Sequence, residues 1–134
     1  MRPILEFVSD TLSSSVGVHV HAHVDETAIQ FALAMALNTS TCYKVTLEEE
    51  ALVVGFTDLI LKPNNHNSSM PGWVIELKYV KKSETTEHVI SSKIAEAEEQ
   101  LIRYSAAENV KSIPNLRRVA AVFSGTELAN VKVF

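Results

Sequence analysis

The sequence predicts an α/β domain in which a sheet of four or five strands is built with helices before and between its strands. Strand-length apolar runs recur at Leu52–Leu61, Trp73–Val80 and Val119–Ser124. Segments with apolar residues at helical spacing, over 25–37 and 92–107, alternate with them. The length of 134 residues and the 46% hydrophobic content suit one core of ordinary size. One domain over 1–134 is therefore expected, with 1–24 as an N-terminal helix and connecting segment and the core from about residue 25.

Taken in order, Pro3 to Leu12 places Ile4, Leu5, Val8 and Leu12 at helical spacing, and Ser13, Ser14, Ser15 and Gly17 would end that helix. Asp25 can cap a second helix running to about Leu37, apolar nearly all round and so expected to be buried. Tyr43 to Leu47 reads as a strand and Glu48-Glu49-Glu50 as a turn. A second strand follows over Leu52–Leu61, with Gly55 marking a bend or a close backbone approach. The polar stretch from Lys62 to Gly72 is an exposed loop leading into the strand Trp73–Val80. After a polar loop over Ser83–Glu87, Ser92 to about Ala107 forms an amphipathic helix with Ile94, Ala97, Leu101 and Tyr104 in one stripe. Pro114 closes the connection to a buried strand at Val119–Ser124, and Val131–Phe134 can add a short edge strand.

Composition excludes several function classes. A formal charge of −4 argues against a surface coated throughout for nucleic acid, although Lys78, Lys81 and Lys82, and later Lys111, Arg117 and Arg118, could gather positive charge on one edge. No apolar run is long enough to span a bilayer and the N-terminus lacks a secretory pattern, so no membrane partner and a cytoplasmic location are expected. The single cysteine, Cys42, allows no internal disulfide and is expected as a small core hydrophobe. His19, His21 and His23 alternate with apolar residues and would face one side of an extended segment. A solvated strand face or connecting segment explains them better than a zinc-like site, which needs ligands from more than one element. His66 lies in the polar loop.

The chemistry-bearing feature is a charged pair inside the apolar strand Trp73–Val80. Side chains alternate along a strand, so Glu76 and Lys78 share one face while Ile75, Leu77 and Tyr79 take the other. Both charges lose hydration there unless they pair with each other, a metal or a substrate. If the second and third strands pair as a hairpin, Asp58 approaches Glu76. Two carboxylates that close call for a cation between them, and oxygen ligands suit Mg²⁺ or Mn²⁺. With Lys78 to orient a water or stabilise negative charge, these parts fit phosphodiester hydrolysis.

The order Asp25-Glu26 opening a buried helix, Gly55-Phe56-Thr57-Asp58, Ile75-Glu76-Leu77-Lys78 and Gln100-Leu101-Ile102-Arg103-Tyr104 resembles the PD-(D/E)XK nuclease superfamily. Within it, the closest likeness is to the small nuclease-like domain found at the C-terminus of AAA-ATPase-like bacterial proteins. Thr57 stands where the name-giving proline would be. The resemblance runs from about Asp25 to Ser124. It implies a restriction-endonuclease-like α/β/α sandwich around a central mixed four- to five-stranded sheet. It also implies Asp58 and Glu76 as ligands of Mg²⁺ or Mn²⁺, Lys78 as the catalytic lysine, Glu26 as a further acidic member, and Gln100 with Tyr104 as a supporting pair.

Each residue has a plainer explanation beside this one. Glu76 and Lys78 can be a surface pair, Asp58 a strand-end residue bonding to backbone amides, Glu26 a complement to the helix dipole, and Tyr104 a core aromatic. Two function classes follow. The first is a divalent-metal-dependent nuclease acting on nucleic acid, with DNA expected ahead of RNA. The alternative is a non-catalytic nuclease-like module that binds nucleic acid or protein while attached to an ATPase. A homodimer would let two sites address both strands of a duplex. An AAA-ATPase-like domain in the same polypeptide is also expected, this chain being a domain excised from a longer one.

Overall fold

The computed structural model describes residues 1–15, 24–39, 42–51, 55–64 and 69–134. They form one mixed sheet of five strands in sequential order, β1 (Tyr43–Ala51), β2 (Gly55–Pro63), β3 (Trp73–Val80), β4 (Arg117–Ser124) and β5 (Glu127–Val133). β2 runs antiparallel to both of its neighbours, β1 and β3. β3 and β4 are parallel, with Ile75 beside Val119 and Val80 beside Ser124, and β5 returns antiparallel. A parallel pair needs a long crossover. Here it is α3 (Glu87–Tyr104) followed by the short α4 (Glu108–Lys111).

The period-2 alternation of the strands sorts the core into two layers. Leu59, Leu61, Ile75, Leu77, Val119, Ala121 and Phe123 face α1 (Arg2–Ser15) and α2 (Glu26–Asn38). Ile60, Val74, Val80, Ala120 and Val122 face α3, whose buried residues are the expected stripe of Ile94, Ala97, Leu101 and Tyr104. The result is the expected α/β/α sandwich. β4 is buried along nearly its whole length because both faces are covered, which is why its sequence reads as an unbroken apolar run.

Local signals account for the ends of the helices. Asp25 caps α2, its Oδ1 accepting from the Ala28 amide at 2.9 Å. Thr86 caps α3 by accepting from the Val89 amide, so that helix starts five residues before the expected Ser92 and stops at Tyr104. The Thr86-Glu87 pair, a capping hydroxyl before an acidic first turn, was the available signal.

Five further expectations are corrected. Glu48–Glu50 is strand and not turn, because these residues pair with β2 through Glu49–Thr57 and Glu50–Phe56. β1 is an edge strand, where charge is tolerated. Gly55 opens β2, opposite Ala51, and does not interrupt it. α2 is not buried all round: Phe31 is 57% and Met35 71% exposed, since α1 covers only part of it. Cys42 is exposed and contributes nothing to the core. The basic residues also fail to gather. Arg117 and Arg118 start β4 beside Trp73 and Val74, whereas Lys81 and Lys82 follow the far end of β3, a strand length of roughly 23 Å away. The Arg117 guanidinium stacks over the Trp73 ring, 5.6 Å from its centroid. Gly17, His19, His21, His23, His66 and Leu52–Val54 lie outside the described residues.

Gly72 locks the entry to β3. Its amide donates to Pro114 O at 3.1 Å and its carbonyl accepts from Arg117 N at 2.8 Å. A Cβ there would meet Ile113 Cγ2 at 2.0 Å, and Ile113 is a stiff, buried, β-branched side chain. Gly72→Ala is expected to destabilise the fold by about 1–3 kcal/mol, read as a lower midpoint in thermal or urea unfolding.

Candidate active site

β2 and β3 pair only from Leu59–Ile75 through Leu61–Trp73. Beyond Ile75 the ladder opens. Main-chain amides two residues apart point to the same side of a strand, so Leu77 N and Tyr79 N both face the side that β2 has left. Two carboxylates take the place of the missing strand. Asp58 Oδ2 accepts from Leu77 N at 2.6 Å, and Glu26 Oε2, from the first turn of α2, accepts from Tyr79 N at 3.2 Å. Gln30, buried in α2, donates its Nε2 to Asp58 O at 3.0 Å and so ties the helix to β2 at the point of parting.

The expected approach of Asp58 to Glu76 is thus present, produced by a ladder that opens and not by one that continues. The backbone-bonding reading of Asp58 and its membership of an acidic cluster hold together. Glu26 goes beyond a dipole complement, because its carboxylate reaches β3 and its charge acts on both Glu76 and Lys78.

Glu76 and Lys78 are no surface pair. They lie under α3, 3% and 9% exposed, with Lys78 Nζ donating to Glu76 Oε1 at 2.9 Å. Glu76 Oε2 is buried and, among the described residues, has no hydrogen-bond partner. Burial first, then repulsion from Asp58, drives the Glu76 carboxyl up to about 7, against the opposing pull of Lys78. Burial alone would lower Lys78, but the hydrogen bond and charge of Glu76, backed by Glu26 and Asp58, outweigh it and hold the ammonium above its ordinary value. The site is therefore acidic at its centre, with one lysine against three carboxylates.

α3 roofs this centre. Glu96, Gln100 and Tyr104 recur every four residues and so form one row along the helix. Tyr104 is buried in the α3 layer of the core, as its plainer explanation held, yet burial and the Glu76 charge push its hydroxyl up. Gln100 Oε1 is buried without a partner. Glu96 Oε1 lies 3.8 Å from Lys78 Nζ. Sequence reasoning missed Glu96 and Gln30. Glu96 was visible as the next member of the Gln100–Tyr104 row, and Gln30 as an amide set in the middle of the apolar run of α2. At the C-terminal end of β3, a cleft of about 800 Å³ is lined by Asp25, Tyr79, Lys81, Lys82, Ser83 and Thr126, among others, and by none of the site's carboxylates.

Among the described residues, no three of His, Cys, Asp or Glu stand ready as a metal cluster. Asp58 and Glu26 are each turned to an amide and Glu76 to a lysine. The chemistry of the donors nevertheless fits a hard divalent cation. Glu76 keeps an unpartnered oxygen beside Asp58, and such ions bind through one or two carboxylates with water completing the shell. Asp58 and Glu76 are the residues that would hold it.

The sheet with helices on both faces is the α/β/α architecture of a nuclease-type fold. The chain belongs to the PD-(D/E)XK nuclease superfamily, whose family model matches residues 24–133. Members of that superfamily generally use divalent metals. The match takes in Glu26, Asp58, Glu76, Lys78, Gln100 and Tyr104 and leaves α1 outside. No curated protein matches the chain. Among the described residues, no helix is long and apolar enough to cross a membrane.

Without metal, Glu76 sets a pH dependence of stability. Its folded pKa of about 7 stands above the ordinary 4.5, so the folded state binds the extra proton. The stabilisation is full below pH 4.5 and is lost as pH rises through 7. At about 1.4 kcal/mol per unit the loss approaches ~3 kcal/mol. Unfolding midpoints measured in chelator from pH 5 to 9 are expected to fall from pH 5 to about 7 in the wild type and level off above it, a fall that Glu76→Gln should lack.

Proposed function

We propose that the protein is a divalent-metal-dependent nuclease that hydrolyses phosphodiester bonds, with DNA as the substrate. The observation that carries this reading is the unpartnered, buried Glu76 oxygen next to Asp58, with the Lys78 ammonium at hydrogen-bond distance. Two like charges forced together in a dry site are unfavourable unless a cation joins them. A bound divalent ion would polarise a phosphoryl oxygen and supply a water of lowered pKa.

The protein's own residues divide the remaining tasks. Asp58 and Glu76 hold the ion, and Glu26 adds negative charge from α2. Leu77 N and Tyr79 N fix the Asp58 and Glu26 carboxylates, so that their geometry exists before substrate arrives. Lys78 directs its ammonium to the nucleophilic water or to the charge that develops on the phosphate. Gln100 and Tyr104 close the site from α3 and keep bulk water from Glu76. A nucleic-acid strand leaving the site past the end of β3 would meet Lys81 and Lys82, the latter paired with Glu127 in the free protein. Lysines there serve as backbone contacts that carry no sequence information.

Glu76→Ala and Lys78→Ala are each expected to lower cleavage of single- or double-stranded DNA by about 100-fold or more, with the far-UV spectrum unchanged. Chelator should abolish wild-type cleavage and Mg²⁺ or Mn²⁺ should restore it. Asp58→Asn should lose Mn²⁺ binding by calorimetry. A Lys78→Ala protein that cuts at the wild-type rate would remove the proposed role of the lysine.

A further inference from the structure

Lys78 stands between two carboxylates of opposite character. Glu76 is buried, its side chain 4% exposed and 2.9 Å from the ammonium; Glu96, on α3, is 47% exposed and 3.8 Å away. The Glu96 carboxylate is shared. Its Oε2 lies 2.7 Å from Lys93 Nζ, while its Oε1 is the atom nearest Lys78. The hydrogen bond from Lys93, and behind it the charges of Lys93 and Lys78, hold Glu96 below the ordinary carboxylate range, so it stays ionised. A lysine side chain, four carbons long, covers the difference between the two contacts by a small rotation.

The arrangement matters once Glu76 has a second claimant. A cation on Glu76 withdraws negative charge from Lys78, whose side chain is only 11% exposed. A buried ammonium that loses its hydrogen-bonded carboxylate keeps its desolvation cost and here is left only the more distant charges of Glu26 and Asp58 to offset it. Resting on the metal-site reading above, we propose that Glu96 is a positioning residue. It would take over the Lys78 ammonium when a divalent cation engages Glu76, and so keep the lysine in place on the α3 side of the site. Lys93 holds Glu96 in place from the solvent side.

The test is a double-mutant cycle read by calorimetric Mn²⁺ titration on the full chain, which needs no turnover. Glu96→Gln is expected to weaken Mn²⁺ about fivefold, the size of one charge contact near 4 Å in a solvated setting. Glu96→Asp keeps the charge but shortens the reach, and should also bind more weakly than wild type. In the Lys78→Met background, Glu96→Gln should change affinity by less than about twofold, because there is no ammonium left to hold.

Equal losses in both backgrounds would mean that Glu96 acts on the ion by charge alone, and would overturn the proposal. So would wild-type affinity in Glu96→Gln. If the wild-type chain binds no Mn²⁺, the metal-site reading falls and takes this inference with it, an outcome distinct from binding without coupling. Lys78→Gln repeats the cycle if Lys78→Met does not fold, as judged by circular dichroism.

Discussion

Glu76 is a carboxylate whose charge burial and Asp58 disfavour and Lys78 only partly offsets, and the rest of the site follows from that placement. It lies under α3 on a strand covered on both faces, with Asp58 close enough to raise its pKa further. Lys78 satisfies one of its oxygens and leaves the other without a hydrogen bond. A fold selected for stability alone has no use for such a group, since a well-packed apolar residue of similar volume does as well or better. The cost is intelligible if the missing partner comes from solution.

The backbone is arranged around the same need. Were β2 and β3 to stay zipped past Ile75, the Leu77 amide would be spent on β2 and Asp58 would be an ordinary strand residue. By parting there, β2 frees a stretch of β3 for side chains, and α2 brings Glu26 and Gln30 to it. Asp58 and Glu26 are then each fixed by a backbone amide, which gives the acidic centre a rigidity that side-chain packing alone would not. The parallel β3–β4 pair holds the opposite edge of β3, so the opening does not spread across the sheet. α1, outside the family match, seals the far layer with Leu5 and Val8 and binds the β5 backbone through Ser9 Oγ, which accepts from Leu128 N.

Much of this was legible in the sequence, and the reasons are physical. Alternation in β2 and β3 gave the faces, the α3 stripe gave its buried residues to the letter, and a charged pair in an apolar strand marked the centre of the site. What was not legible depends on tertiary contact. The Glu48–Glu50 run reads as a turn by composition and becomes strand because β2 pairs with it. Phe31 and Met35 make α2 look fully buried, yet burial depends on how much of the helix α1 covers. Cys42 and the dispersal of the basic residues depend on where each strand ends in space. Glu96 and Gln30 carry no motif, and only the packing of α2 and α3 against the sheet reveals what they reach.

The most direct measurement is a ¹³C NMR titration of the Glu76 side-chain carboxyl, carried out with and without Mg²⁺. A buried carboxylate waiting for a cation should titrate near pH 7 in chelator and move below the ordinary carboxylate range when Mg²⁺ is added. A midpoint near 4.5 in both samples, unmoved by the ion, would contradict the claim that Glu76 is held for a metal.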